Sequence, residues 1–139
     1  MKKVFADTAY WIALFHKDDN LHQKAVGVQT KLEGAIIVTS DMVLTEFLNH
    51  FAGHGGSLRA IAVSIVERLL ENPNVDVVPQ TRAYFKQALE LYSQRQDKGW
   101  GLTDCASFLI MNEKEIKEAL AHDEHFVQAG FTALLRDDG

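Results

Sequence analysis

The chain has 139 residues, 47% of them apolar and 24% charged, with a formal net charge of −5, so it is sized for one domain and is not a basic whole-surface nucleic-acid binder. Its lone cysteine, Cys105, excludes an internal disulfide and a cysteine-built zinc site, which suits a reducing cytosol. Lys2 and Lys3 precede an apolar stretch, but Asp7 interrupts it, no cleavage site follows and no membrane-length apolar run occurs, so a soluble cytoplasmic protein without a membrane segment is expected.

Lys3 to Ala6 reads as a short buried strand, and Asp7-Thr8 opens a helix through Phe15, with either residue a suitable N-cap. Lys17 to Asn20 is a polar turn before a helix from Leu21 to Leu32, which Gly34 stops. Ala35 to Val38 is a second buried strand, and Thr39-Ser40-Asp41 caps a helix from Met42 to Ala52. His54 to Gly56 breaks the chain before a helix from Leu58 to Leu70, and Asn72-Pro73-Asn74 is a turn. Val75 to Val78 is a third strand, followed by an amphipathic helix from Thr81 to Gln94 and a loop from Asp97 to Gly101. Thr103 or a neighbour caps a helix ending near Asn112. Ala119 to Ala121, Glu124 to Ala129 and Thr132 to Leu135 close the chain as strand, helix and strand. This alternation predicts an α/β fold, a mostly parallel sheet with helices on both faces.

Four acids stand out against this frame. Asp7 and Asp123 each follow a short strand, and the carboxyl ends of parallel strands share one edge of an open sheet, where such folds keep their ligands. Asp104 lies in the first turn of its helix. Glu46 is more than one turn inside an apolar helix, with Met42 and Val43 as surface neighbours, at the border of the expected buried face. An unpaired charge there would be costly. Carboxylates gathered with no basic partner in reach ask for a hard cation, magnesium or manganese, because otherwise their mutual repulsion keeps at least one protonated.

Each acid also has a plainer explanation. Asp7, Asp104 and Asp123, taken singly, are more readily explained as helix caps that also complement the helix dipole. A buried salt bridge to an arginine would account for Glu46. Capping does not explain why all four fall where one sheet edge would collect them.

The surroundings of these acids carry a resemblance that spans essentially the whole chain. The strand running into Asp7-Thr8, TSDMVLTEFLN around Glu46, LTDCASF around Asp104 and LAHDEHFVQAGF around Asp123 resemble the PIN-domain nucleases, especially the small VapC toxins of toxin–antitoxin modules. The last two segments are the most specific. The resemblance implies a single PIN domain over residues 1–139, with a Rossmann-like α/β/α fold and a metal-dependent endoribonuclease site. It makes Asp7, Glu46, Asp104 and Asp123 the acidic quartet. Asp7 and Asp104 would hold Mg2+ or Mn2+ directly, while Glu46 and Asp123 complete the site or orient bound water. Thr8 and Thr103 would stand beside the acids as hydroxyl donors. Members commonly carry Ser or Asn two residues after the first Asp, where this chain has Ala9. The resemblance further implies RNA as substrate, cleavage leaving a 5′-phosphate and a 3′-hydroxyl without a histidine base, a cognate antitoxin and a homodimer.

Other residues invite weaker readings. His122 and His125 flank Asp123, but without a cysteine or a third histidine they read as surface or supporting residues rather than zinc ligands. Asp41 reads first as an N-cap and second as an accessory acid. Cys105 has no base near it in sequence and is not read as a nucleophile. Trp100 is equally a loop anchor or a platform for a base. Arg82, Lys86, Arg95 and Lys98 read as a solvated face before they read as phosphate contacts. The helices Leu58–Leu70 and Trp11–Phe15 would offer an antitoxin or dimer groove, although core packing explains most of their apolar residues. Two other functions compete: a catalytically silent PIN module that binds RNA or protein, and a phosphoryl-transfer domain, against which the absence of Asp-x-Asp at Asp7-Thr8-Ala9 counts.

Overall fold

In the computed structural model, which describes residues 1–136, five strands form one sheet. They are β1 (Lys3–Ala6), β2 (Ile36–Ser40), β3 (Val75–Val78), β4 (Glu118–Leu120) and β5 (Thr132–Ala133). The order is β3-β2-β1-β4-β5 and every pairing is parallel. The helices are α1 (Thr8–Phe15), α2 (His22–Lys31), α3 (Asp41–Phe51), α4 (Gly56–Glu71), α5 (Arg82–Gln94), α6 (Leu102–Glu113) and α7 (Glu124–Gln128). No helix among the described residues is long and apolar enough to cross a membrane.

The order follows from how the chain doubles back. From β1 it steps outward through β2 to β3, then returns across the sheet to lay β4 on the free side of β1. Right-handed crossovers put α1 to α4 on one face and α6 and α7 on the other. Helix packing agrees, since α1 meets α2 and α3, whereas α6 meets α5 and α7. The reversal creates a switch point between β1 and β4, where the strands diverge into opposite layers and leave a crevice at their carboxyl ends.

The central strands are short because they are buried on both faces, and a charge ends them. Val4, Phe5 and Ala6 are fully buried and Asp7 follows at once. Registers Phe5↔Ala119 and Ala6↔Leu120, with the Asp7 amide donating to the Leu120 carbonyl at 3.1 Å, clamp the two strand ends together. Phe47, Val43 and Phe51 of α3 fill one layer. Phe108, Met111 and Phe126 fill the other. Thr39 is fully buried, accepts from the Trp11 indole at 3.2 Å and donates to the Ala6 carbonyl at 2.9 Å, which ties α1 and β2 to the end of β1.

Local boundaries differ from the sequence expectation in instructive ways. β2 runs on through Thr39 and Ser40, because pairing with Val77 and Val78 extends it. Ser40 is therefore the N-cap of α3, its hydroxyl accepting the Val43 amide at 3.2 Å. Asp41 is not the cap. It is the first residue of α3, and its carboxylate accepts the Gln80 amide at 3.1 Å, holding the exit of β3. Gly101 rather than Thr103 caps α6, which leaves Thr103 half-buried inside the first turn.

Candidate active site

Asp7 follows β1 directly at this switch point, beside the end of β4. It is 8% exposed, and although its backbone occupies the N-cap position of α1 its carboxylate makes no capping bond. Its carboxyl is pushed up to about 7, first by burial and then by the charges of Asp104, Glu46 and Asp123, with only the Thr8 amide pulling the other way. Those three charges reach it from α6, α3 and the β4–α7 turn. The four acids, scattered over more than a hundred residues of chain, share one electrostatic neighbourhood. A capping role explains none of Asp7's burial.

Asp104 and Asp123 do cap, and they do more. The Asp104 carboxylate accepts the Gly101 amide at 3.1 Å, and Asp123 accepts the His125 amide at 3.0 Å. Burial raises the Asp104 carboxyl above the usual carboxylate range, partly offset by the Gly101 amide and by His125. The His125 ring stands between the two acids, its Nδ1 at 3.0 Å from Asp104 Oδ2 and 3.3 Å from Asp123 Oδ1. The expectation of acids with no basic partner in reach is therefore corrected. One imidazole is in reach, brought there because Asp123 caps α7 and turns the second residue of that helix inward.

Glu46 corrects a second expectation. It is exposed, off the stripe of Val43, Leu44, Phe47 and Phe51 that α3 buries, so it carries no cost of a buried charge, and among the described residues it pairs with no arginine. Its Oε1 accepts the Thr8 hydroxyl at 2.8 Å, which brings α3 to the start of α1 beside Asp7. The Thr103 hydroxyl makes no such bond to an acid among the described residues; its carbonyl accepts the Ser107 hydroxyl at 2.8 Å.

The remaining residues sort by position. His122 is exposed on the outside of the turn, its carbonyl accepting from Arg136 at 3.2 Å, so it parts from His125. Cys105 is fully buried and burial raises its thiol, which leaves no thiolate to react. Trp100 is a buried anchor, edge-on to Phe108 with ring centres 5.0 Å apart and bonded through its indole to Gln128 at 3.0 Å. Arg95 lies 4.8 Å over that ring and pairs with Asp97, so it is engaged in holding the loop. His125 is the member that sequence reasoning undervalued. Its signal was its position two residues after an acid at a strand-to-helix turn, where the side chain folds back toward the sheet edge.

All donors around Asp7 other than His125 are oxygens, the chemistry a hard divalent cation prefers. As the side chains stand, no three histidine, cysteine, aspartate or glutamate donors among the described residues enclose one point. What is in place is a buried carboxyl, Asp7, pushed up to about 7 by its burial and then by the charges of Asp104, Glu46 and Asp123.

A parallel 3-2-1-4-5 sheet with acids crowding its switch point defines the class, and residues 4–132 match the PIN domain family model, so the chain belongs to the PIN-domain family. Within it the chain is similar to VapC20 of Mycobacterium tuberculosis, a 23S rRNA-specific endonuclease, in two strains, with 30% identity over 134 residues covering 94% of this chain and 97% of that protein. The crystal structure of VapC20, described as a sarcin–ricin-loop-cleaving toxin, superposes with a TM-score of 0.82 at 28% identity, covering 93% of this chain and 96% of that one.

Proposed function

We propose that this protein is a divalent-metal-dependent endoribonuclease and the toxin of a toxin–antitoxin pair. The observation that carries the reading is Asp7, buried at the end of β1 within electrostatic reach of Asp104, Glu46 and Asp123, which with burial push its carboxyl up to about 7. Asp7 and Asp104 are the residues to hold Mg2+ or Mn2+, with Glu46 and Asp123 completing the set. The bound ion would supply positive charge to the scissile phosphate and lower the pKa of an attacking water.

The chain's own residues would do the rest. Asp7, buried and adjacent to the β1–β4 clamp, gives the site its fixed point. The Gly101 amide and the His125 ring hold one oxygen of Asp104, which leaves the other for the ion. Thr8 of the neighbouring helix α1 would hold the Glu46 carboxylate in place. Asp123, 45% exposed in its side chain, and Glu46, also exposed, are the acids open to an arriving substrate. The phosphodiester bond would be cut by water to leave a 5′-phosphate and a 3′-hydroxyl.

The likeness to VapC20 supports RNA as the substrate and makes 23S ribosomal RNA the first to try. It also supports a cognate antitoxin as partner, and a homodimer and a cytoplasmic location belong to the same reading. Purified protein incubated with total RNA in Mg2+, in Mn2+ and in EDTA tests it. Cleavage should require the metal and vanish in folded Asp7→Asn and Asp104→Asn variants. Full activity in either variant would overturn the site, and inactivity with every RNA and metal would favour a catalytically silent binding module.

A further inference from the structure

His125 has two ring nitrogens, and the acids engage one of them. Nδ1 stands 3.0 Å from Asp104 Oδ2 and 3.3 Å from Asp123 Oδ1. A carboxylate oxygen only accepts, so Nδ1 is the nitrogen that carries a proton toward them. Nε2 has no hydrogen-bond partner among the described residues, and no buried polar side-chain atom among them lacks one. The half-buried His125 therefore shows Nε2 to solvent, beside the two acids.

The wall facing Nε2 is the loop between α5 and α6. A side chain on Gly99 would begin 3.8 Å from Nε2, with no other atom within 4 Å apart from its chain neighbours. The backbone does not ask for glycine here, since the φ of Gly99 is not positive. What glycine does is leave the space over Nε2 open. The loop is braced, which keeps that space in shape. The Trp100 indole donates to Gln128 of α7 at 3.0 Å and its ring meets Phe108 of α6, while Arg95 lies over that ring and pairs with Asp97.

The chemistry of Nε2 narrows what fills the space. With Nδ1 protonated, a neutral ring offers a lone pair at Nε2 and a charged ring offers an N–H. A phosphate oxygen only accepts and meets one of these forms, whereas a hydroxyl both donates and accepts and meets either. When water cuts an RNA phosphodiester to free a 3′-oxygen, one substrate hydroxyl lies beside the reacting atoms. It is the ribose 2′-hydroxyl, on the carbon next to the one that bears the leaving oxygen.

We propose that His125 Nε2 binds the ribose 2′-hydroxyl of the nucleotide whose 3′-oxygen leaves, and so selects RNA over DNA at this site. The inference rests on the endoribonuclease reading and adds to it a residue that reads the sugar. His125 then has a separate role for each nitrogen, with Nδ1 holding Asp104 and Nε2 meeting the substrate. A site that bonds a hydroxyl discriminates against the analogue lacking it, because its own polar group is then left without a partner.

Cleavage in Mn2+ tests the proposal, using an RNA fragment that wild type cuts and the same fragment with a single 2′-deoxynucleotide on the 5′ side of the cut. At saturating Mn2+ wild type should cut the deoxy fragment about tenfold more slowly, the value of one hydrogen bond. His125→Asn puts an amide N–H where Nδ1 stands and nothing where Nε2 stands, so its rates on the two fragments should agree within about twofold. Gly99→Val covers Nε2 without touching the acids. It should lose the same preference while its Mn2+ titration stays at the wild-type value. Equal rates on the two fragments by wild type, or a preference that survives in both variants, would overturn the proposal and leave the nuclease reading standing. A deoxy fragment left wholly uncut, with 2′,3′-cyclic phosphate ends on the RNA products, would also refute it, since the 2′-hydroxyl would then be the nucleophile. No cleavage of any RNA by wild type would remove the endoribonuclease reading and this proposal with it.

Discussion

The Thr8 hydroxyl donates to the Glu46 carboxylate over 2.8 Å, joining the first residue of α1 to the middle of α3 across 38 residues of chain. This bond, rather than burial, accounts for a glutamate in an otherwise apolar helical stretch. Thr8→Val should leave stability within about 0.5 kcal/mol, because the pair is exposed. It should lower RNA cleavage by about tenfold through a loosened Glu46, measurable as initial rate at saturating metal. Unchanged cleavage in Thr8→Val would remove Glu46 positioning from the mechanism.

Asp7 should make the metal-free protein less stable as pH rises. Its folded carboxyl, raised from 3.8 to about 7, binds a proton that the unfolded chain releases, so its contribution is fully present below pH 3.8 and is lost through pH 7. The loss amounts to roughly 4 kcal/mol. Urea unfolding in EDTA should show Asp7→Asn more stable than wild type at pH 8, with the difference shrinking toward pH 4. Equal stability at both pH values would mean that the Asp7 carboxylate is destabilised neither by its burial nor by its neighbours.

Divalent ions should reverse that deficit. At pH 8, Mg2+ or Mn2+ should raise the melting temperature of wild type in a concentration-dependent way, since binding to the folded state alone stabilises it by mass action. Asp7→Asn and Asp104→Asn should show little of this shift. A shift of the same size in both variants would place the ion elsewhere.

His125→Ala should separate orientation from ligation. With the ring gone, Asp104 keeps its bond to Gly101 but loses the contact at 3.0 Å. Losing a partner that orients a metal ligand should weaken the apparent metal affinity by about tenfold to a hundredfold, read from cleavage against Mn2+ concentration. An unaltered titration curve would reduce His125 to part of the α7 cap.

Thr39→Val should cost stability without touching the acids. It leaves the Trp11 indole N–H and a lone pair of the Ala6 carbonyl without their buried partner, worth roughly 1–3 kcal/mol. Chemical denaturation measures it directly, and a neutral result would show that Trp11 finds another acceptor.

Much of this architecture was legible before any coordinates. Hydrophobic runs too short for helices mark β1, β3 and β4 to within a residue or so, since the buried β1 cannot continue through Asp7 and the Asn72-Pro73-Asn74 turn delivers the chain to β3. Less legible were the caps. Ser40 rather than Asp41 caps α3 because strand pairing carried β2 two residues further, and of Thr103 and its neighbours it is Gly101 that caps α6. These are tertiary effects on local choices.

Composition, periodicity and the placement of Asp7 and Asp123 after strands were determined by the sequence alone, because periods of 2 and 3.6 and the cost of a charge in a buried strand act between near neighbours. The order of the strands was not. Only the folded sheet decides that β4 returns to pair with β1, and that single pairing makes the crevice into which Asp104 and Asp123 turn. The same holds for Glu46, drawn to Thr8 on the solvent side, and for His125, set between two acids 19 residues apart in the chain. Such placements depend on contacts between distant segments, which no local pattern records until the chain has closed on itself.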